Sequence, residues 1–132
     1  EAMEFARRVS FITGRSYRLP TEKEWEYAAK GGNSPHGFDY AGSNNIDQVG
    51  WYISNTHNVT QPVGRKAACI GLYDMTGNVA EWSYDGDSSS RMIRGGSFVD
   101  PPTPYCLVTS RTGWSLDYRV FIIGFRLACS SD

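Results

Sequence analysis

Apolar residues recur at Ala2, Phe5, Ala6 and Val9, the i, i+3, i+4, i+7 spacing of a single helix face. Gly14 follows where a left-handed residue closes such a helix. Tyr17-Arg18-Leu19-Pro20 then leads into Thr21-Glu22-Lys23-Glu24, in which the Thr21 hydroxyl can accept from the amide of Glu24 while the Glu24 carboxylate returns to the amide of Thr21. That capping box predicts a second helix, with Trp25, Ala28 and Ala29 as its buried stripe and Gly31-Gly32 as its end. Beyond Gly32 the pattern breaks into short segments divided by Gly, Asn, Ser and Pro, and no further helix is expected. Brief strands are predicted over residues 49–53, 71–73, 78–82 and 92–95, with a longer one over 120–127. The stretch from Asp85 to Ser90 reads as an exposed loop. The fold class is α+β: two N-terminal helices, then short antiparallel strands and long loops.

The last third of the chain does not follow this logic. Between Arg94-Gly95-Gly96-Ser97-Phe98 and Gly124-Phe125-Arg126-Leu127, the residues show neither a period of 2 nor one of 3.6. From Phe98 onward there is no Lys, Glu, Gln, Met, Asn or His, although all six types occur in the first 97 residues. Such a skew points to a segment whose residues are chosen by something other than core packing.

Length and charge narrow the function classes. A chain of 132 residues is long enough to bury a core as a single domain, here 1–132. With 14 acidic and 13 basic residues the net charge is -1, which gives no electrostatic case for nucleic acid or an anionic membrane. Cys69, Cys106 and Cys129 are odd in number and widely spaced, so they spell out neither a disulfide framework nor a zinc site, and a partly reduced state is expected. No signal peptide or apolar run long enough to span a bilayer is seen, and membrane insertion is not expected. The chain opens at Glu1-Ala2-Met3 inside an amphipathic pattern, so an upstream part is expected.

His36 and His57 stand alone in polar loops and read as surface histidines, as Asp85 and Asp87 read as surface carboxylates. Lys23, Lys30 and the arginines of the first helices read as solvated faces. Asn58-Val59-Thr60 is formally a glycosylation sequon, relevant only in a eukaryotic secretory setting.

Several long motifs stand in order along the chain. They are Tyr17-Arg18-Leu19-Pro20-Thr21-Glu22 with Glu24-Trp25-Glu26-Tyr27-Ala28-Ala29, Pro62-Val63-Gly64, Gly71-Leu72-Tyr73-Asp74-Met75, Gly77-Asn78-Val79 with Glu81-Trp82, Arg94-Gly95-Gly96-Ser97-Phe98, and Gly124-Phe125-Arg126. Together they resemble the formylglycine-generating-enzyme, or sulfatase-modifying factor, family over nearly the whole chain, which implies a C-type-lectin-like fold. The family's usual start upstream of Glu1 is absent, leaving an N-terminal strand or two unaccounted for.

Fold does not fix function, because this family includes oxidases, ergothioneine-type synthases and non-catalytic binding domains. The resemblance implies, for the oxidases, a redox-active cysteine pair, the first two residues past the Phe of the Gly-Gly-Ser-Phe motif and the second five residues later. Here the first position is Asp100, and Cys106 lies one residue beyond the second. A carboxylate does not replace a thiolate that binds copper(I), which wants a soft ligand.

The segment is more similar to the variable proteins of diversity-generating retroelements, which carry a Cys, an Arg, an Asp-x-Arg and an Ile-Gly-Phe-Arg-Leu ending. Cys106, Arg111, Asp117, Arg119 and Ile123-Gly124-Phe125-Arg126-Leu127 follow that frame. In such systems template adenines are copied to any base while the codon keeps its final pyrimidine. Codons ending in a pyrimidine cannot encode Lys, Gln, Glu, Met or Trp, and in this segment only Trp114 departs from the rule; the absence of Asn and His is not explained by it. The resemblance implies an invariant scaffold over 1–97, a variable segment over 98–123 and a closing strand over 124–132. Its ligand-binding residues would be Val99, Asp100, Pro101, Thr103, Tyr105, Leu107, Val108, Ser110, Thr112, Gly113, Trp114, Ser115, Tyr118, Val120 and Phe121. Aromatic and aliphatic anchors among them suit an interface, and the nearby prolines lower the entropy cost of presenting them. Val120 and Ile122, being β-branched, also read as core.

The implied role is non-catalytic recognition of a protein or glycan ligand on a target cell surface, from a phage virion or bacterial cell surface. Arg111, Asp117, Arg119 and Arg126 are expected to pair and lock the segment's backbone. An oxidase using Cys106 and copper, or a structural family member without a diversified site, are the alternatives. No cofactor is required by this reading. The family's calcium loop maps onto Asp74 and Glu81 through their side chains and onto Gly77 and Val79 through their carbonyls, a hard-oxygen set suited to structural calcium. The same stretch also reads as a hairpin turn at Thr76-Gly77-Asn78 with Glu81 as a surface charge. A second family calcium site near Asn45-Ile46 lacks its later carboxylate and is not expected to be occupied.

Overall fold

In a computed structural model, residues 1–130 are described. Helix α1 (Ala2–Thr13) forms as its apolar spacing predicts and ends at Gly14, whose φ of 70° lets its amide donate to the Ser10 carbonyl at 2.9 Å. The Ser10 hydroxyl accepts from the Tyr17 amide at 2.8 Å and so ties α1 to strand β1 (Tyr17–Arg18). Helix α2 (Glu22–Ala29) begins with the full capping box: the Glu24 amide donates to Thr21 Oγ1 at 3.2 Å and the Thr21 amide to Glu24 Oε2 at 2.9 Å. Arg18 clamps the same carboxylate at 2.6 and 2.7 Å and holds the Glu24 carboxyl down at about 2, with the Thr21 backbone amide adding to the effect.

A third helix, α3 (Ile46–Val49), was not expected, because a single turn is too short to show a period; Asn45 starts it by accepting from the Asp47 amide at 3.1 Å. It runs into β2 (Gly50–Trp51), which pairs in parallel with β3 (Thr76–Gly77). Of the rest of the strand predicted over 49–53, Val49 closes α3 and Ile53 enters a turn. Residues 71–73 are not a strand either: Cys69 and Leu72 close a tight turn by exchanging backbone hydrogen bonds of 2.9 and 2.8 Å.

The main sheet contains β4 (Ala80–Gly86), β5 (Ser90–Arg94), β6 (Arg111–Ser115) and β7 (Ile123–Gly124), in the order β6-β5-β4-β7. Of the exposed loop expected at Asp85–Ser90, residues 87–89 form the exposed tip of a β4–β5 hairpin, while Asp85 and Gly86 end β4 and Ser90 begins β5. The tip is closed by Asp87, whose carboxylate accepts from the amides of Ser89 and Ser90, each at 2.8 Å. Of the strand predicted over 120–127 only β7 (Ile123–Gly124) forms, paired in parallel with β4; β8 (Ala128–Cys129), beyond that range, pairs antiparallel with β1.

Side-chain alternation divides the main sheet into two faces. Glu81, Ser83 and Arg94 point to α2 and are buried. The register that pairs Trp82 with Ile93 with Thr112, and Arg91 with Trp114, puts those residues on the opposite face. The core lies on the α2 side, where Trp25, Ala29, Ala41, Cys69, Met75 and Val108 form one cluster; Tyr40, Ile46, Val49, Tyr52 and Cys106 form a second.

Candidate binding face

The segment after Phe98 is held at its start by Asp100, whose carboxylate accepts from the Ser97 amide at 2.8 Å and the Ser97 hydroxyl at 2.6 Å, while its carbonyl accepts from the Ile53 amide at 3.2 Å. Cys106 lies at 0% exposure, close against Gly96, where a Cβ would come within 2.6 Å of its sulfur. Burial, with the Asp100 carboxylate adding to it, pushes the Cys106 thiol up to about 12. The direction is towards the protonated thiol, in a packed setting. A nearby cavity, bordered by Asp100, Tyr105, Ser110 and Thr112, measures about 30 Å³, room for a water.

Three arginines fix the frame: Arg94 is buried, Arg126 half-buried and Arg111 exposed. Arg94, almost fully enclosed, donates to Glu22 at 3.1 Å, to Glu26 at 2.6 Å and to the Val108 carbonyl at 2.8 Å, with its guanidinium over the Trp25 ring. Arg111 reaches the same Glu22 through two hydrogen bonds of 3.0 and 2.6 Å. Arg126 makes a two-pronged pair with Glu81 at 2.6 and 2.7 Å and also donates to the Tyr73 carbonyl, while Trp25 Nε1 donates to Glu81 at 2.7 Å. Burial alone would lower the Arg126 pKa, but the Glu81 carboxylate more than reverses it and the net direction is up. Burial likewise favours a neutral Glu26, yet Arg94 and Lys30 hold its carboxyl below the usual range. Of the four expected frame residues, Arg111 and Arg126 lock the backbone. Arg119 meets only Glu1, with both side chains exposed, and the Asp117 carboxylate accepts no hydrogen bond among the described residues. Arg94 lay in a quoted motif without a role; a buried arginine leaves no periodic signal of its own.

The expected ligand-binding residues do not all reach solvent. Pro101, Thr103, Tyr105, Gly113, Tyr118 and Phe121 are exposed. Val99, Asp100, Leu107, Ser110, Thr112, Trp114, Ser115 and Val120 are half-buried. Val108 is a correction: its side chain belongs to the Trp25 cluster and its carbonyl to Arg94, so it supports the surface from beneath. Leu107 packs on the second cluster, and Asp100 is occupied by its own turn.

Trp114, half-buried, lies on the sheet face turned away from α2, and Tyr118, Val120 and Phe121 follow it in the chain. Trp114 meets Tyr118 edge-on at 6.3 Å, Phe121 lies 5.9 Å from Phe98, and Arg91 sits over the Tyr84 ring. Leu116, Tyr118, Val120 and Phe121 line an open cleft of about 690 Å³. Trp82, Arg91 and Phe125 line it as well. The sequence reading missed these three, although the period of 2 along β4 and β5 could have placed Trp82 and Arg91 on that face. His36 and His57 are exposed and lie outside this cleft, His36 stacking on Phe38.

A family model described as the sulfatase-modifying factor enzyme 1-like domain matches residues 1–131. The chain belongs to this family. Treponema denticola variable protein 1, a solved structure, superposes with a TM-score of 0.78 at 37% identity, over 87% of this chain and 48% of that one. A Paenibacillus barcinonensis protein named chaperone protein LppX is 43% identical over 63% of this chain and 39% of its own. The inactive C-alpha-formylglycine-generating enzyme 2 of Bos taurus is 32% identical over 90% of this chain and 46% of its own. Proteins named formylglycine-generating enzymes are similar at 30–38% identity, so kinship alone does not separate enzyme from non-enzyme. The chain spans less than half the length of these relatives. The family and the observed α+β architecture bear out the C-type-lectin-like fold.

The residues of the family's calcium loop suit a hard cation. Asp74 Oδ1 is buried with no hydrogen-bond partner among the described residues, while its other oxygen accepts from the Gly64 amide at 2.8 Å. Neither the Gly77 nor the Val79 carbonyl accepts a loop hydrogen bond. Glu81 is buried rather than a surface charge, and its Oε1 receives a single hydrogen bond, leaving a lone pair free. Among the described residues, no helix is long and apolar enough to cross a membrane.

Proposed function

We propose that this domain is a non-catalytic variable protein of a diversity-generating retroelement. It binds a protein or glycan ligand on a target cell surface through the face built by Trp114, Tyr118, Val120 and Phe121, from a phage virion or bacterial surface. The observation that carries this reading is the contrast within one segment. Residues 114–121 put aromatic and aliphatic side chains into solvent, with Phe121 79% exposed and Tyr118 63% exposed, while Arg94, Arg111 and Cys106 next to them are paired or sealed. Anchors on a rigid support lose little entropy on binding. The non-catalytic reading is supported by Asp100 at the position that would need a thiolate and by the full burial of Cys106, whose thiol is pushed up to about 12.

Calcium, in this reading, is structural. Asp74 and Glu81 through their carboxylates and Gly77 and Val79 through their carbonyls would hold it, and the ion would supply charge balance to a left-handed turn at Asp74 (φ 56°).

The test is alanine substitution at Tyr118 and Phe121, with binding measured to a ligand selected on the parent protein from peptide and glycan arrays. Each change should leave stability within about 0.5 kcal/mol and weaken binding by about thirtyfold. Loss of stability comparable to that of Trp25→Ala, about 3–5 kcal/mol, would show these rings to be core and end the proposal.

A further inference from the structure

Strand β6 lies at the end of the main sheet, and its hydrogen-bond phase is fixed by one contact. The Leu116 amide donates to the Ser89 carbonyl at 3.0 Å, in register with the pairs Arg91↔Trp114 and Ile93↔Thr112. In an antiparallel ladder, hydrogen-bonded and non-hydrogen-bonded pairs alternate. Thr112 and Trp114 therefore direct their amides and carbonyls to β5, and Arg111, Gly113 and Ser115 direct theirs outward. No strand pairs with that outer edge among the described residues. The Tyr118 amide takes the Ser115 carbonyl at 3.3 Å, while both polar groups of Gly113 and of Arg111 have no backbone partner.

Proteins usually guard such an edge with charge, proline or a bulge. Here the guard is drawn back. The Arg111 guanidinium is held on Glu22, on the α2 side of the sheet, and Gly113, the exposed midpoint of the strand, has no side chain to keep a second backbone away. The edge is also continuous with the cleft face, since Trp114 stands between the two outward groups of Gly113 and Ser115 and packs on Tyr118.

We infer that the ligand is a protein, and that it binds by adding an extended segment antiparallel or parallel to the outer edge of β6. This rests on the proposed binding role of the same segment. Outward donors and acceptors recur every second residue, about 7 Å apart, the repeat of a polypeptide strand and not of a sugar's hydroxyls. An added strand sends alternate side chains to opposite faces. One set lies beside Trp114 and Tyr118 and calls for apolar or aromatic residues; the other lies beside Arg111 and Ser115 and calls for polar ones.

Random 12-residue peptides displayed on phage, selected on the immobilised domain, supply the probe. With the best peptide as ligand, Gly113→Pro should weaken binding at least about tenfold, because proline removes the outward donor. It costs no internal hydrogen bond, so the melting temperature should hold. Gly113→Ala, which keeps the donor, should bind within about threefold of the parent. N-methylation along the peptide should harm binding at every second residue, and the bound peptide should slow exchange of the Arg111 and Gly113 amides. This last readout needs no variant and decides the matter if Gly113→Pro folds poorly. Undiminished binding to a well-folded Gly113→Pro, exchange at these amides unchanged by peptide, or no peptide selected above background would each overturn the inference. Tyr118→Ala in the same assay separates the two claims: binding lost with Tyr118→Ala yet untouched by Gly113→Pro leaves the binding face standing without the edge, and binding lost with neither removes both.

Discussion

Glu22 holds two arginines at once, and the two bonds should differ in worth. The Arg94 side chain is 2% exposed and the Glu22 side chain 12%, whereas the Arg111 side chain is 59% exposed. Solvent screens the Arg111 pair, so Arg111→Ala should cost at most about 1 kcal/mol. Removing Arg94 leaves Glu22, Glu26 and the Val108 carbonyl without their shared donor in a dry site, and Arg94→Ala should cost about 3–5 kcal/mol. Glu22→Gln is the intermediate case: Arg94 keeps Glu26 at 2.6 Å and the Val108 carbonyl at 2.8 Å, and the loss should be about 1–3 kcal/mol. Urea unfolding of the single and double variants gives the coupling directly, with about 1–3 kcal/mol expected between Glu22 and Arg94 and under about 1 between Glu22 and Arg111. Equal couplings, or an Arg94→Ala variant destabilised by less than about 1 kcal/mol, would refute the view that Arg94 is the support of the variable segment.

Three further outcomes follow from the same geometry. Calcium at about a hundred times its dissociation constant should stabilise the parent by roughly 2.7 kcal/mol, and Asp74→Asn should abolish the shift in a thermal melt; an equal shift in both proteins excludes this loop. The Glu24 carboxyl, held at about 2 against an ordinary 4.5, contributes stability that is fully present above pH 4.5 and lost as pH falls towards 2; NMR titration of Arg18→Ala should return its midpoint towards 4.5, and an unmoved midpoint would dismiss the clamp. At pH 8 iodoacetamide should label exposed Cys129 and leave Cys106 unmodified until denaturant is added, and no formylglycine should form on a Cys-x-Pro-x-Arg peptide with or without copper; rapid native labelling of Cys106, or turnover, contradicts the non-catalytic reading.

What was legible in the sequence was what repeats or what caps. Helix α1 announced itself by four apolar residues on one face, and α2 by Thr21 and Glu24, whose reciprocal hydrogen bonds depend only on residues three apart. Strand β6 was missed because Arg111-Thr112-Gly113-Trp114-Ser115 has no alternation and a glycine at its centre; it exists because β5 supplies its partners. The shortness of β7 within residues 120–127 was invisible for a similar reason, since an apolar run does not say which of its residues find a strand partner. The candidate face was legible in its aromatic residues and not in its depth. Val108 and Tyr105 are comparable on paper, and the packing of Val108 in the Trp25 cluster shows which one lies beneath. Trp82 and Arg91 entered the cleft from strands far away in sequence, a meeting that no local pattern encodes.

The central claim is that residues 98–123 are diversified on a fixed frame, and sequencing the DNA that encodes them across a population of the source cells, together with any nearby template repeat, tests it most directly. The account predicts changes confined to codons that carry adenine in the template, falling on exposed positions such as Tyr105, Tyr118 and Phe121 while Arg94, Cys106, Arg111 and Gly124-Phe125-Arg126 stay fixed. Variation spread evenly over residues 1–130, or a segment as constant as α2 with no template repeat and no reverse-transcriptase gene beside it, would contradict it.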